Sequence, residues 1–178
     1  MRVIAGEFRS RRLKTPQGLE VRPTPDRLRE SLFSILMPRL EGCVFADLYA
    51  GCGAVGIEAL SRGAANCIFV EKSRKAVEVL RENLASLGIA GRAQVMQGNA
   101  STYAGSLRAD IYFLDPPYER TEEYEKTLSL IGEQGPGIVI AQHSSHLALE
   151  EEYRRLRRYR VVKQGDNSLS FYEVLLVD

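Results

Sequence analysis

Residues 43–60 read CVFADLYAGCGAVGIEAL. An apolar run, Cys43 to Ala50, carries one acid, Asp47, and is followed by Gly51-x-Gly53-x-x-Gly56 and a helical pattern over 54–63. A strand, a glycine loop and a helix in that order place backbone N–H groups and a helix N-terminus beside any ligand the loop admits. Glu71 ends the next apolar run, CIFVE, twenty residues after Gly51, where an acid can chelate a ribose diol. A G-x-G-x-x-G loop alone fits a nicotinamide dinucleotide, or no ligand at all. Asp47, four residues before the first glycine, favours a ligand with ammonium and sulfonium charges over a pyrophosphate. S-adenosylmethionine is such a ligand. Asp47 can equally accept hydrogen bonds from amides of the glycine loop.

Outward from this unit, strand and helix patterns alternate. Strands are expected at 67–71, 93–98, 110–114, 137–142, 158–164 and 169–177, and helices at 73–88, 101–107, 121–131 and 147–156. This alternation predicts an α/β fold with a mainly parallel sheet. The last two strands, joined by GDNS, are close enough to pair antiparallel. Asn99 ends the third strand, as an adenine contact or a helix cap, and Ala100 follows it. Lys72 lies beside the adenine position or in solvent.

The fourth strand runs into Asp115-Pro116-Pro117-Tyr118. Prolines cannot continue a ladder and hold the backbone extended. The result is a stiff loop with one acid, carbonyls short of competing donors, and an aromatic face. A flat base with an exocyclic amine fits it. Asp115 and the Pro116 carbonyl can accept the amine hydrogens, and Tyr118 can stack. The alternative is a strand-ending turn with a packed tyrosine. No Pro-Cys pair is present for thiolate attack on a pyrimidine, and His143 and His146 have no evident partners.

The 178 residues, 44% apolar and 26% charged, suit one soluble domain. No apolar run approaches a membrane span, and MRVIAGEFRSRR lacks the core of a signal peptide. Cys43, Cys52 and Cys67 show no C-x-x-C spacing, which argues for reduced thiols in a cytoplasmic protein and against structural zinc. Charge is uneven. Residues 1–29 hold Arg2, Arg9, Arg11, Arg12, Lys14, Arg22, Arg27 and Arg29 against three acids, a net +5 in a chain whose total is +1. A basic arm on an acidic body fits a polyanion, or a solvated surface. RRLRRYR at 154–160 is a second basic cluster, read as an exposed face. Residues 1–21 read as a hairpin turning at TPQG. A helix follows, capped by Thr24, with Pro25 at its first position, and ended by Pro38.

DLYAGCGAVGIEAL, Glu71 and DPPY in this order resemble class I S-adenosylmethionine-dependent methyltransferases. More narrowly, MRVIAGEFRSRRLKTP, RPTPDRLRESLFSIL and GDNSLSFYEVL are similar to the RsmD family, bacterial 16S rRNA guanine-N2 methyltransferases. The likeness spans nearly the whole chain. It implies a Rossmann-like, seven-stranded sheet with an antiparallel last strand, preceded by a hairpin-and-helix extension over 1–40 that packs on a methyltransferase domain over 41–178. It implies cofactor contacts at Asp47, Gly51, Gly53, Glu71 and Asn99, and target-base contacts at Asp115, Pro116 and Tyr118. The basic arm would grip 16S rRNA or the small ribosomal subunit, with no metal and as a monomer. Gln142 departs from the family, whose members often carry an acid there. DNA adenine-N6 or cytosine-N4 methyltransferases share the proline motif, but sixty residues between motifs leave no room for their usual recognition segment. A nucleic-acid-binding module without catalysis is the other alternative.

Overall fold

A computed structural model describes residues 1–18, 24–135 and 137–176. Its strands are β1 (Val44–Asp47), β2 (Asn66–Glu71), β3 (Ala93–Gln97), β4 (Ile111–Leu114), β5 (Ile138–Ser144), β6 (Glu152–Tyr153), β7 (Leu156–Gln164) and β8 (Asn167–Val174). Its helices are α1 (Asp26–Leu40), α2 (Ala54–Ser61), α3 (Arg74–Ser86), α4 (Ala100–Tyr103) and α5 (Glu122–Gly132). One sheet contains all the strands, in the order β3-β2-β1-β4-β5-β8-β7-β6. Strands β1 to β5 are parallel, and β8 runs antiparallel to both β5 and β7.

Helices cover both faces, which is why the central strands are nearly continuous apolar runs. Alternate residues serve opposite layers. Phe45, Phe69, Phe113, Ile140 and Phe171 pack with α1, α2 and α3. Ala46, Tyr112, Leu114, Val139 and Tyr172 pack with α4 and α5. Because β1 lies between β2 and β4, the strand order reverses beside it and opens a crevice at the strands' C-terminal ends.

Several expectations are corrected. Among the described residues the sheet has eight strands, the extra one being the two-residue edge strand β6. Residues 147–156 are not helical. Leu149, Tyr153 and Leu156 are buried at helical spacing, yet they flank a tight turn at Arg154 (φ 56) between β6 and β7. Pro38 does not end α1. Its missing N–H falls in the last turn, and the buried Leu40 holds that turn down. Pro25 is the N-cap rather than the first helical residue, and Thr24 points elsewhere. A turn over residues 5–10 brings Arg2 and Arg12 into an antiparallel bridge, and Gln17 and Gly18 of TPQG form a further turn. Residues 19–21 of that expected hairpin lie outside the described residues.

This N-terminal segment is tied to α2. Glu58, fully buried, accepts the Ile4 and Ala5 amides at 2.9 and 3.0 Å and an ion pair from Arg62 at 2.8 Å. Ser61 Oγ accepts from the Phe8 amide and donates to the Ala5 carbonyl. Lys14 exchanges two hydrogen bonds with the buried Asn83 on α3.

Candidate active site

A cleft of about 920 Å³ runs along the C-terminal ends of the strands. That is a usual size for a small-ligand site. Gly98, Asn99, Glu71 and Asp47 line it from β3, β2 and β1; Asp115, Gln142 and Asn167 line it from β4, β5 and β8.

In the first half, Asp47 is 2% exposed and its Oδ2 accepts the Gly56 amide at 3.0 Å. Burial pushes its carboxyl up to about 7; the Gly56 amide opposes the rise and Glu71 adds to it. Glu71 joins two elements. Its Oε2 accepts from the Gly51 amide at 2.7 Å and its Oε1 from the Ser73 amide, the N-cap of α3, at 2.8 Å. Gly51 (φ 56) borders the cleft, and a Cβ there would meet nothing, so only the left-handed backbone demands glycine. Gly53 (φ 89) differs. A Cβ there would lie 2.3 Å from Leu80 Cδ1, so Gly53 shapes the loop and packs on α3, while Gly51, Cys52 and Ala54 form the cleft wall. Lys72 is exposed at the rim. Asn99 holds the N-cap position of α4 without a side-chain cap bond, and Ala100 behind it is buried.

In the second half, Asp115 is half-buried, Pro116 buried, and Tyr118 37% exposed. The Tyr118 hydroxyl donates to Asn167 Oδ1 at 2.8 Å. Gln142 is buried; its Oε1 accepts from the Thr24 hydroxyl at 3.2 Å and its carbonyl from the Tyr124 hydroxyl at 2.7 Å. Burial, with the Asp115 charge next, holds the Tyr124 phenol protonated well above its ordinary range. Tyr49 bonds Glu123 and Thr127 across the cleft floor. Sequence reasoning singles out neither Asn167 nor Tyr49, although both lie within the GDNSLSFYEVL and DLYAGCGAVGIEAL stretches that carry the family likeness.

The other candidate nucleophiles are quiet. Burial pushes the Cys43 thiol up to about 11 and raises those of Cys52 and Cys67, so all three favour the protonated form. His143 bonds Ser170 Oγ and the Ser144 carbonyl, and burial lowers its pKa. Among the described residues no group of three or more His, Cys, Asp or Glu could hold a metal ion.

Of the basic arm, Arg2, Arg9, Arg11, Arg12, Lys14 and Arg27 are exposed. Arg11 donates to the Ser86 carbonyl, and Lys14 pairs with Glu82 on the surface. Arg22 lies outside the described residues. Arg29 is a correction: it is fully buried, its Nη2 donating to the Arg2 carbonyl at 3.0 Å and to Asp26 at 2.8 Å. It braces the arm from inside and presents no cation to a partner.

The comparisons with known proteins agree with this geometry. The family model described as Conserved hypothetical protein 95 matches residues 1–173. Ribosomal RNA small subunit methyltransferase D of Escherichia coli is 39% identical over 137 residues, covering 76% of this chain and 68% of that protein. YlbH of Bacillus subtilis is 36% identical over 182 residues, covering 97% and 98%. The solved structure of YhhF from Escherichia coli superposes with a TM-score of 0.86 at 33% identity, covering 98% of each chain. An RNA methyltransferase from Salinibacter ruber, solved with S-adenosyl-L-homocysteine, shares the fold at 18% identity and a TM-score of 0.68, covering 88% of this chain and 95% of that one. Sheet order and cleft define a Rossmann-like class I methyltransferase fold. The chain belongs to the RsmD family of methyltransferases.

Proposed function

We propose that this protein transfers a methyl group from S-adenosylmethionine to the exocyclic N2 of a guanine in 16S rRNA, guanine 966 of the small subunit by its family likeness. One observation carries the reading. A single cleft holds two buried-to-half-buried acids, Asp47 and Glu71, beside the glycine loop, and the Asp115-Pro116-Pro117-Tyr118 loop on the adjoining strand end. The similarity to Ribosomal RNA small subunit methyltransferase D supports an rRNA substrate.

The first half suits the cofactor. Glu71, with spare lone pairs after its two amide bonds, takes the ribose diol, and Asp47 faces the cationic end. Gly51 gives the backbone close approach, Gly53 sets the loop, and Lys72, Asn99 and Ala100 border the adenine. Bound S-adenosylmethionine supplies an electrophilic methyl group. The protein's part is to present a nucleophile in line with it. An aromatic amine is a weak nucleophile because its lone pair is delocalised into the ring. Asp115 and the Pro116 carbonyl accept its hydrogens and draw the nitrogen toward tetrahedral geometry, where the lone pair becomes available. Tyr118 stacks on the extruded base, a contact worth about 1–3 kcal/mol. Extrusion costs a few kcal/mol in return. After transfer the cationic amine loses its proton to Asp115 or water.

Residues 1–40 form the RNA-holding extension of the methyltransferase domain at 41–178. Arg2, Arg9, Arg11, Arg12, Lys14 and Arg27 hold phosphates, contacts that position RNA without reading its sequence. The protein acts as a cytoplasmic monomer. The test is methyl transfer from labelled S-adenosylmethionine to unmodified small ribosomal subunits, naked 16S rRNA and duplex DNA, followed by nucleoside mass spectrometry. N2-methylguanosine in a ribosomal sample is expected. N6-methyladenine or N4-methylcytosine from DNA alone overturns the substrate assignment.

A further inference from the structure

Gln142 has a position and a bonding pattern that the proposed chemistry does not use. The β4–β5 register pairs Leu114 with Ala141, so Asp115 and Gln142 come next, side by side on adjacent strand ends. Parallel register keeps their side chains on the same face, roughly 4.8 Å apart at the backbone. Gln142 is 4% exposed and lines the cleft. The Thr24 hydroxyl donates to its Oε1, which turns the amide one way round. No protein group accepts from its Nε2 among the described residues, and that nitrogen is open to the cleft rather than sealed in the core, where only Arg29 leaves nitrogens unpaired. A donor held in place beside the amine-binding acid, facing the cleft, awaits an acceptor from the substrate.

We infer that Gln142 selects the target base: its Nε2 donates to the C6 carbonyl oxygen of guanine while Asp115 and the Pro116 carbonyl hold the C2 amine. This rests on the guanine-N2 reading above. Guanine offers an amine and a carbonyl on one edge, separated by one ring nitrogen. Adenine, with its amine at Asp115, offers only a ring C–H at the corresponding place and leaves Nε2 unmet. In 2,6-diaminopurine the C2 amine is kept, but a second amine replaces the carbonyl, and two donors would face each other. Thr24 is a positioning residue, because without its hydroxyl the amide is free to turn.

The experiment uses the rRNA form that the wild-type enzyme methylates, with guanine or 2,6-diaminopurine at the target position. Wild type is expected to prefer guanine in kcat/KM by roughly tenfold to a hundredfold. Gln142→Met, close in volume and without the donor, should lose most of its guanine rate and bring the two bases nearly level. Its affinity for S-adenosylmethionine should be unchanged, which also reports correct folding. Thr24→Val should fall between. Should Gln142→Met not fold, the wild-type ratio and Thr24→Val decide. A wild type that accepts both bases equally overturns the inference, and so does either folded variant with the wild-type ratio. Absence of N2-methylguanosine with wild type is a different result and removes the proposed function itself.

Discussion

The Tyr118 hydroxyl donates a 2.8 Å hydrogen bond to Asn167 Oδ1, joining the loop after β4 to the first residue of β8, 49 positions further along the chain. The bond fixes a ring that is 37% exposed, at the half of the cleft where a base would lie. Tyr118→Phe keeps the ring and loses only the anchor, so methyl transfer should fall by roughly threefold to tenfold, the worth of one hydrogen bond. Tyr118→Ala loses the stacking face as well and should cost roughly another tenfold or more. Equal rates for the two variants would rule out stacking.

Asp115 and Glu71 should separate chemistry from binding. Asp115→Ala should bind S-adenosylmethionine as wild type does and lose about a hundredfold or more of its turnover, the scale seen when one preorganised transition-state donor or acceptor is removed. Glu71→Ala should weaken the cofactor by calorimetry, because it removes the diol acceptor and also the tie between the Gly51 amide and the start of α3. Wild-type turnover in Asp115→Ala would defeat the mechanism.

Asp47 predicts a pH dependence. Its carboxyl, pushed up to about 7 by burial, takes up a proton as pH falls through 7. A cationic ligand prefers the ionised form. The dissociation constant for S-adenosylmethionine should therefore rise as pH drops below 7, approaching about tenfold per unit, and Asp47→Asn should flatten this component. Stability moves the other way. The folded pKa lies above the unfolded 3.8, so the folded state holds the extra proton between these values, and Asp47's contribution declines as pH rises from about 4 through 7. Thermal melts of wild type against Asp47→Asn should diverge over that window.

The basic arm should reveal itself through salt. Charge reversal at Arg9, Arg11 and Arg12 should weaken RNA binding and lower the slope of log K against log salt by roughly one for each phosphate no longer neutralised. Arg29→Met should leave that slope unchanged, because Arg29 is fully buried. A changed slope in Arg29→Met alone would reverse the assignment.

Glu58 should prove structural. Glu58→Ala leaves two half-buried amides and the largely enclosed Arg62 guanidinium without their acceptor, which should cost about 2–4 kcal/mol in denaturant unfolding. The N-terminal segment should then exchange its amide hydrogens sooner than the sheet does.

The sequence by itself determined what short-range rules govern. Strand–glycine–helix order, Asp47 and Glu71 at strand ends, and the proline stop after Leu114 all follow from local periodicity and backbone stereochemistry, and each is in place. Tertiary structure decided what depends on distant partners. Thr24 reads as a cap, yet its hydroxyl goes to Gln142, 118 residues away. Arg29 reads as a surface cation, yet the fold of α1 over the N-terminal segment encloses it. Leu149, Tyr153 and Leu156 have helical spacing, yet the open edge of β7 supplies backbone partners that make 152–153 a strand. The same spacing satisfies a helix face and a strand–turn–strand, and only the neighbouring ladder separates them. Asn167 and Gln142 belong to the site for the same reason. Burial and a hydrogen-bonding partner across the sheet are properties of the folded chain, and neighbouring residues carry no record of them.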